Sequence, residues 1–161
     1  MESLLTGLAE AVQSSPFGQW AGQSHSAYPV ANLVHLLGLV MLVGGIGIVD
    51  LRLAGAFRSL PPRPLSRALT PVAIAGLLLM ILSGFIMFAA DAQSMAESPT
   101  FQRKLVLIAL ALANAVLFRW IWGRRIAGWA VSPPLGGRLM AGASLLLWLT
   151  VAAHGRMIAY S

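Results

Sequence analysis

Four long apolar stretches, separated by short polar segments, dominate the pattern of hydrophobic and polar positions along the chain. A helix needs about 20 predominantly apolar residues to cross the hydrocarbon core of a bilayer. Each stretch reaches that length, so the pattern predicts four transmembrane helices. We place them at about residues 29–49, 71–90, 101–122 and 138–158.

A shorter amphipathic segment precedes the first apolar stretch. Over residues 3–13, large apolar side chains recur at helical spacing, and Glu2 and Glu10 lie off that face. The segment is too short to span a bilayer, so we expect a helix that lies in the membrane interface. The predicted fold is therefore all-α: an integral membrane, up-and-down four-helix bundle with a short interfacial helix, formed as one domain over residues 1–161.

Composition supports a membrane protein and excludes several kinds of chemistry. Hydrophobic residues make up 58% of the chain and charged residues 10%, with a mean hydropathy of +0.79, whereas soluble domains carry about 25% charged residues. Cysteine is absent, which excludes disulfides, thiolate metal sites and cysteine nucleophiles. No acidic residue falls within a predicted span and no phosphate-binding glycine loop is present, which disfavours soluble hydrolase chemistry.

The basic residues predict an orientation in the bacterial inner membrane. Of the 11 lysines and arginines, only Arg103, Lys104 and Arg156 flank the side that holds both termini. The other basic residues lie at the first and third loops: Arg52, Arg58, Arg63, Arg67, Arg119, Arg124, Arg125 and Arg138. The positive-inside rule places those loops in the cytoplasm and both termini on the periplasmic side. Because topology accounts for the net charge of +6, we expect no nucleic-acid partner.

His35 is the first candidate for a functional residue. An ionisable side chain inside a membrane is costly and faces the protein interior or a wet cavity. His154 lies near the outer end of the fourth span, and the first and fourth helices of an up-and-down bundle are neighbours. At 1.5 Å per residue, both imidazoles are expected roughly 5–10 Å into the outer leaflet.

Two neutral imidazoles at one depth can ligate the iron of a b-type haem. In this interpretation His35 and His154 are the metal ligands, and Gly38 and Gly45 leave room for the flat macrocycle. The haem propionates require cations. Lys104, Arg103 and Arg156 could supply them, because all three belong to the outer side. The predicted function is electron transfer, with quinone or a redox partner protein as the electron partner.

Other interpretations of the same residues remain open. A membrane histidine can simply hydrogen-bond to another helix, and Lys104 can extend to the outer interface. The chain would then be a non-catalytic accessory subunit in a homo- or hetero-oligomer. Copper passage past His35, Met80 and Met87 is a further alternative, although no Met-rich or His-rich outer segment accompanies them.

The chain resembles an uncharacterised family of small bacterial four-helix membrane proteins, a domain of unknown function. The segments that carry the resemblance are MESLL at the start, VHLLGLVMLVGGIGIVDLRLAG (34–55), SGFIMFA (83–89), FQRKLVLIALALAN (101–114) and GRMIAY (155–160). The resemblance implies an architecture rather than an activity. In such a family we expect a histidine near the inner end of the third span, where this chain has Arg119 after Asn114 and Phe118. A cofactor bound through that position would be bound differently here, or not at all.

A looser resemblance is to the copper-resistance D proteins and the bacterial membrane protoporphyrinogen oxidase. Those proteins also have a histidine early in a first span and a lysine that opens a later one, as His35 and Lys104 do here. This resemblance implies porphyrin or haem handling, including a porphyrin oxidoreductase with both residues at its site, or copper passage.

Overall fold

The computed structural model describes residues 2–129 and 133–158, and every regular element in that part of the chain is helical. This confirms the predicted all-α class. Met1 and Tyr160, which belong to two of the segments quoted for the resemblance, lie outside the described residues. The helices are α1 Glu2–Ser14, α2 Pro16–Gln23, α3 Ala27–Ala54, α4 Pro62–Ala90, α5 Ala92–Glu97, α6 Pro99–Trp122 and α7 Leu135–Met157, with a 3₁₀ turn at Ile126–Gly128.

Within the described residues, four helices are long and apolar enough to cross a membrane: α3, α4, α6 and α7. The shortest has 23 residues, which at 1.5 Å per residue gives a length of about 34 Å. Large apolar side chains on these helices point outward, with Val40 and Val116 each 70% exposed. Such surfaces are stable in lipid rather than in water, so the chain is a multi-pass membrane protein.

Local sequence explains where the spanning helices begin and end. Proline occupies the first turn of α4 and of α6, where its missing N–H costs nothing. The α3 helix ends at Gly55, whose φ of 117° is the left-handed conformation that glycine adopts most readily. Arg138, at the start of α7, donates from Nε to the carbonyl oxygen of Ala54 at 3.0 Å and so joins the two helix ends.

Helix α3 lies at the centre of the bundle, between α4 and α7, and α6 packs on the other side of α7. The predicted contact between the first and fourth spanning helices is therefore present. All four helices contribute to one core cluster, made of Leu42, Ala73, Ala111, Trp148 and Val151. Within the described residues, however, α4 and α6 share no extensive backbone contact, and a cleft separates them.

The contact between α3 and α4 is closest at a pair of glycines. A Cβ atom added to Gly38 would lie 2.7 Å from the carbonyl oxygen of Gly76, and one added to Gly76 would lie 2.6 Å from that of Gly38. One added to Gly45 would lie 3.0 Å from the carbonyl oxygen of Leu69. Small residues allow two membrane helices to approach until their backbones touch.

The three short helices form a layer over one end of the bundle, which we call the amino-terminal end. The predicted amino-terminal helix is present as α1, which packs on α5, while α2 packs on α4. Phe17 stacks on Phe85 with ring centroids 5.7 Å apart, and the Gln93 N–H donates to Gln13 Oε1 at 2.9 Å. We call the opposite end, where α3 leads into α4 and α6 into α7, the loop end.

Candidate functional site

His35 faces the interior of the bundle, in the half nearer the amino-terminal end. It shares one face of α3 with Leu42, Ile46 and Leu53, which follow it at the spacing expected for one side of a helix. Leu42 and Leu53 are buried, and the His35 side chain is half-buried. The ionisable ring therefore continues a core-facing row of aliphatic side chains.

Hydrogen bonds to α4 determine which nitrogen of the His35 ring carries the proton. The Nδ1 atom lies 3.0 Å from the hydroxyl oxygen of Ser83. That hydroxyl donates its single hydrogen to the carbonyl oxygen of Leu79 at 2.6 Å, so it accepts from the Nδ1–H of His35. The neutral ring then has a lone pair on Nε2, the nitrogen available to a metal or to a proton donor.

Lys104 of α6 completes the site, which we call the His–Lys site. Its ammonium group is near enough to the His35 ring for the two to interact electrostatically. Its Nζ atom lies 3.2 Å from where a Cβ atom on Gly155 of α7 would be. The half-buried side chain therefore lies between α3 and α7. Among the residues that the structure describes, no acceptor is hydrogen-bonded to the Lys104 ammonium group.

His154 lies on the side of α7 that faces α6. It is two turns beyond Leu147, which packs on the shared core, and four turns beyond Met140, whose carbonyl accepts from Asn114 of α6 at 3.1 Å. Its Nδ1 atom lies 3.0 Å from the Thr150 carbonyl oxygen. Because a carbonyl only accepts, Nδ1 carries the proton and Nε2 has the lone pair. Within the described chain no hydrogen bond joins the rings of His35 and His154.

The remaining residues predicted for a cofactor are Gly38, Gly45 and Arg156. The backbone of α4 occupies the space beside Gly38 and Gly45 in which we expected a flat ligand, so these glycines serve helix packing. The His35 ring itself packs against Gly84 of α4, where an added Cβ atom would lie 3.3 Å from Cε1. Arg156 is exposed near the end of α7.

Asp50 is a buried acidic residue that we did not expect inside a helix. It is 5% exposed, one carboxylate oxygen has no partner within the described residues, and the Ser144 hydroxyl lies beside the carboxylate. The apolar run ends at Val49, but α3 continues to Ala54. The only sequence signal for this extension is Gly55, a typical residue after a helix end. Among the described residues, no group of three or more His, Cys, Asp or Glu side chains is arranged to hold a metal ion.

The family comparison covers almost the whole chain. The model of DUF6644, a family of unknown function, matches residues 10–161. The chain belongs to this family. The match includes all four spanning helices of this DUF6644 protein and confirms the resemblance to an uncharacterised family of small membrane proteins. No curated protein and no solved structure matches the chain. Its function must therefore be argued from the site.

Proposed function

We propose that this DUF6644 protein binds a b-type haem in the outer leaflet of the bacterial inner membrane and transfers electrons. The observation that carries the proposal is the hydrogen bond between His35 Nδ1 and the Ser83 hydroxyl, from which we infer that Nδ1 carries the proton and Nε2 keeps its lone pair. A histidine that ligates a metal almost always donates its other ring N–H to a neighbouring acceptor, which holds the ring in position.

His154 supplies the same kind of donor on a second helix. Its Nδ1–H is bound to the carbonyl oxygen of Thr150, one turn earlier in α7, so its Nε2 lone pair is also available. Two neutral imidazoles fit the donor set of a six-coordinate b-type haem. Haem, when bound, would supply the one-electron couple, while the two Nδ1 hydrogen bonds hold the imidazole rings in orientation.

Lys104 provides a reason for an anionic group to bind at this site. A half-buried ammonium group inside a membrane is costly unless a counter-charge is present. A haem propionate beside it would form a charge-assisted hydrogen bond. Arg156 and Arg103 lie at the same end of the bundle and would interact with a second propionate nearer the surface.

The orientation proposed from the basic residues places the amino-terminal end in the periplasm. The His–Lys site would then lie in the outer leaflet, within reach of quinone in the bilayer or of a redox partner protein at the periplasmic surface. A reporter that is active only in the periplasm tests this orientation when it is placed at the amino-terminal end of the bundle and, separately, in a loop at the loop end. Activity at the loop end would contradict it.

Haem titration of the detergent-purified protein tests the proposal residue by residue. We expect saturable binding, and a loss of at least about tenfold in affinity for His35→Ala and for His154→Ala. His25→Ala is the matched control, because His25 is exposed in the turn between α2 and α3. Equal affinity in all three variants would contradict the assignment of the ligands.

Proximity of Lys104 to His35 also favours a second candidate, a porphyrin oxidoreductase. An imidazole lone pair and an ammonium group that interact electrostatically could serve as the base and the acid of such a reaction. Expression in a strain that lacks protoporphyrinogen oxidase would then restore growth, and Lys104→Met would abolish the rescue. Good expression without rescue by the unchanged chain would eliminate this candidate.

A further inference from the structure

A second site with the properties of a ligand pocket lies at the loop end, far along the bundle from His35. A cavity of ≈ 310 Å³ occupies the cleft between α4 and α6. We call it the loop-end cavity. Pockets that bind small molecules have volumes of about 300–1,000 Å³. This one is therefore large enough for a headgroup and the first part of a chain.

One wall of the cavity is a polar face of α4. Arg63, Ser66, Arg67 and Thr70 all line it, at the spacing of a single helix face. The hydroxyls of Ser66 and Thr70 are 3.3 Å apart. These side chains are thus turned toward the cleft instead of being spread around the helix.

Arg119 of α6 lines the opposite wall and adds a third guanidinium group. This is the position at which we expected a histidine in the family. Phe118 and Asn114 precede it on the same wall. The cavity therefore has cations on both of the helices that flank the cleft.

The cavity arginines differ from two others at this end of the bundle. Arg52 donates from Nε to the Leu60 carbonyl oxygen at 2.6 Å, and Arg138 donates to that of Ala54. Arg52 thereby binds the loop between α3 and α4, and Arg138 binds the last residue of α3. Within residues 2–129 and 133–158, by contrast, the three guanidinium groups of the cavity make no hydrogen bond or ion pair.

Among the described residues, no carboxylate pairs with these three charges. Asp50 is the acidic residue nearest the loop end in the sequence, and its buried carboxylate lies beside Ser144, a residue that lines the cavity. The other four acidic residues belong to the amino-terminal end: Glu2, Glu10, Asp91 and Glu97. The three guanidinium groups are exposed, and an anion from outside the chain could pair with all of them at once.

The inner surface of the cavity is apolar in part, with Asn114 and Ser144 as its polar members. Ile46, Val49 and Leu53 of α3 form its floor, and Phe118 and Ile126 extend it. A free inorganic anion would gain nothing from such a surface. A molecule with an anionic headgroup and a hydrocarbon chain would satisfy both parts, because guanidinium groups bind phosphate oxygens in a fork geometry.

We propose that the loop-end cavity binds an anionic phospholipid from the adjacent leaflet. Its phosphate is held by Arg63, Arg67 and Arg119, and the first part of its chain lies on Ile46, Val49 and Leu53. The site is independent of haem, because it lies at the other end of the bundle from His35.

Native mass spectrometry of the detergent-purified protein tests this proposal, with phosphatidylglycerol and phosphatidylcholine as probes. We expect one phosphatidylglycerol to bind at least tenfold more tightly than phosphatidylcholine. Arg67→Gln/Arg119→Gln should remove that preference. Arg124→Gln/Arg125→Gln is the matched control, since it removes the same charge from the same end but neither residue lines the cavity.

A second variant keeps every charge and fills the space. Ala115 lines the cavity, and Ala115→Phe should lower phosphatidylglycerol affinity at least tenfold if the chain enters the cleft. Equal binding of the two lipids, or an equal loss in the Arg124 and Arg125 control, would overturn the proposal. Displacement of the lipid by equimolar inorganic phosphate would also overturn it, because the apolar floor would then contribute nothing.

Discussion

Substitution of Gly76 by alanine should separate α3 from α4 and destabilise the bundle. The new Cβ atom would lie 2.6 Å from two backbone atoms of α3, the Gly38 carbonyl oxygen and the Leu42 amide nitrogen. Neither atom can rotate away. Ordinary contact begins at 3.4 Å, so the helices must part locally by about 0.8 Å. Overpacking of this kind costs about 1–3 kcal/mol.

The same displacement should reach the His–Lys site. Ser83 lies two helical turns from Gly76 on α4, and its bond to His35 joins the same two helices at 3.0 Å. A wider separation of α3 and α4 would lengthen this hydrogen bond, so the His35 ring would be held less firmly in its orientation. Gly76→Ala should therefore weaken haem binding as well as lower the free energy of unfolding.

Unfolding by sodium dodecyl sulfate in mixed micelles, followed by tryptophan fluorescence, measures the effect. Gly44→Ala is the matched control, because a Cβ atom there meets nothing within 4 Å. Alanine should be neutral at that position or stabilise the helix by up to about 1 kcal/mol. If Gly76→Ala is as stable as Gly44→Ala, the close contact between α3 and α4 is refuted.

Three further substitutions test individual contacts. Ser83→Ala removes the hydroxyl that accepts from the Nδ1–H of His35, so it should cost about 1 kcal/mol in the same unfolding assay and lower haem affinity about 10–100-fold in the titration; unchanged values would contradict the proposed protonation. Lys104→Met removes a half-buried charge, so it should raise the stability of the haem-free protein while weakening haem binding; a loss of stability would show that the lysine serves the fold. Arg138→Gln removes the donor to the Ala54 carbonyl, so it should lower the free energy of unfolding by about 1 kcal/mol, and no change would mean that this exposed bond contributes nothing.

Apolar length was enough to predict the spanning helices, because a membrane leaves few other structures for such segments. It did not predict which faces meet. An evenly apolar helix gives no sequence signal for its rotation, so the approach of Lys104 to His35 and the position of His154 on the α6 side of α7 both required the structure. The contact between the first and fourth spanning helices followed from topology alone.

The sequence also did not predict the roles of individual glycines or the position of Asp50 inside α3. The sequence does not distinguish Gly38 from Gly84, but in the structure Gly38 touches the backbone of α4 and Gly84 packs against the His35 ring. Asp50 ends an apolar run without ending a helix, because hydropathy marks the edge of the lipid and not the last hydrogen bond of α3. The first distinction depends on contacts with a neighbouring helix, and the second depends on the backbone hydrogen bonds of α3.

A visible spectrum of the detergent-purified protein, before and after addition of dithionite, tests the central claim most directly. The protein should be expressed with ample haem, alongside His35→Ala and the His25→Ala control. We predict a Soret band and sharp reduced α and β bands that His35→Ala abolishes and His25→Ala leaves unchanged. A flat spectrum in the unchanged chain would contradict haem binding and favour a non-catalytic accessory membrane subunit.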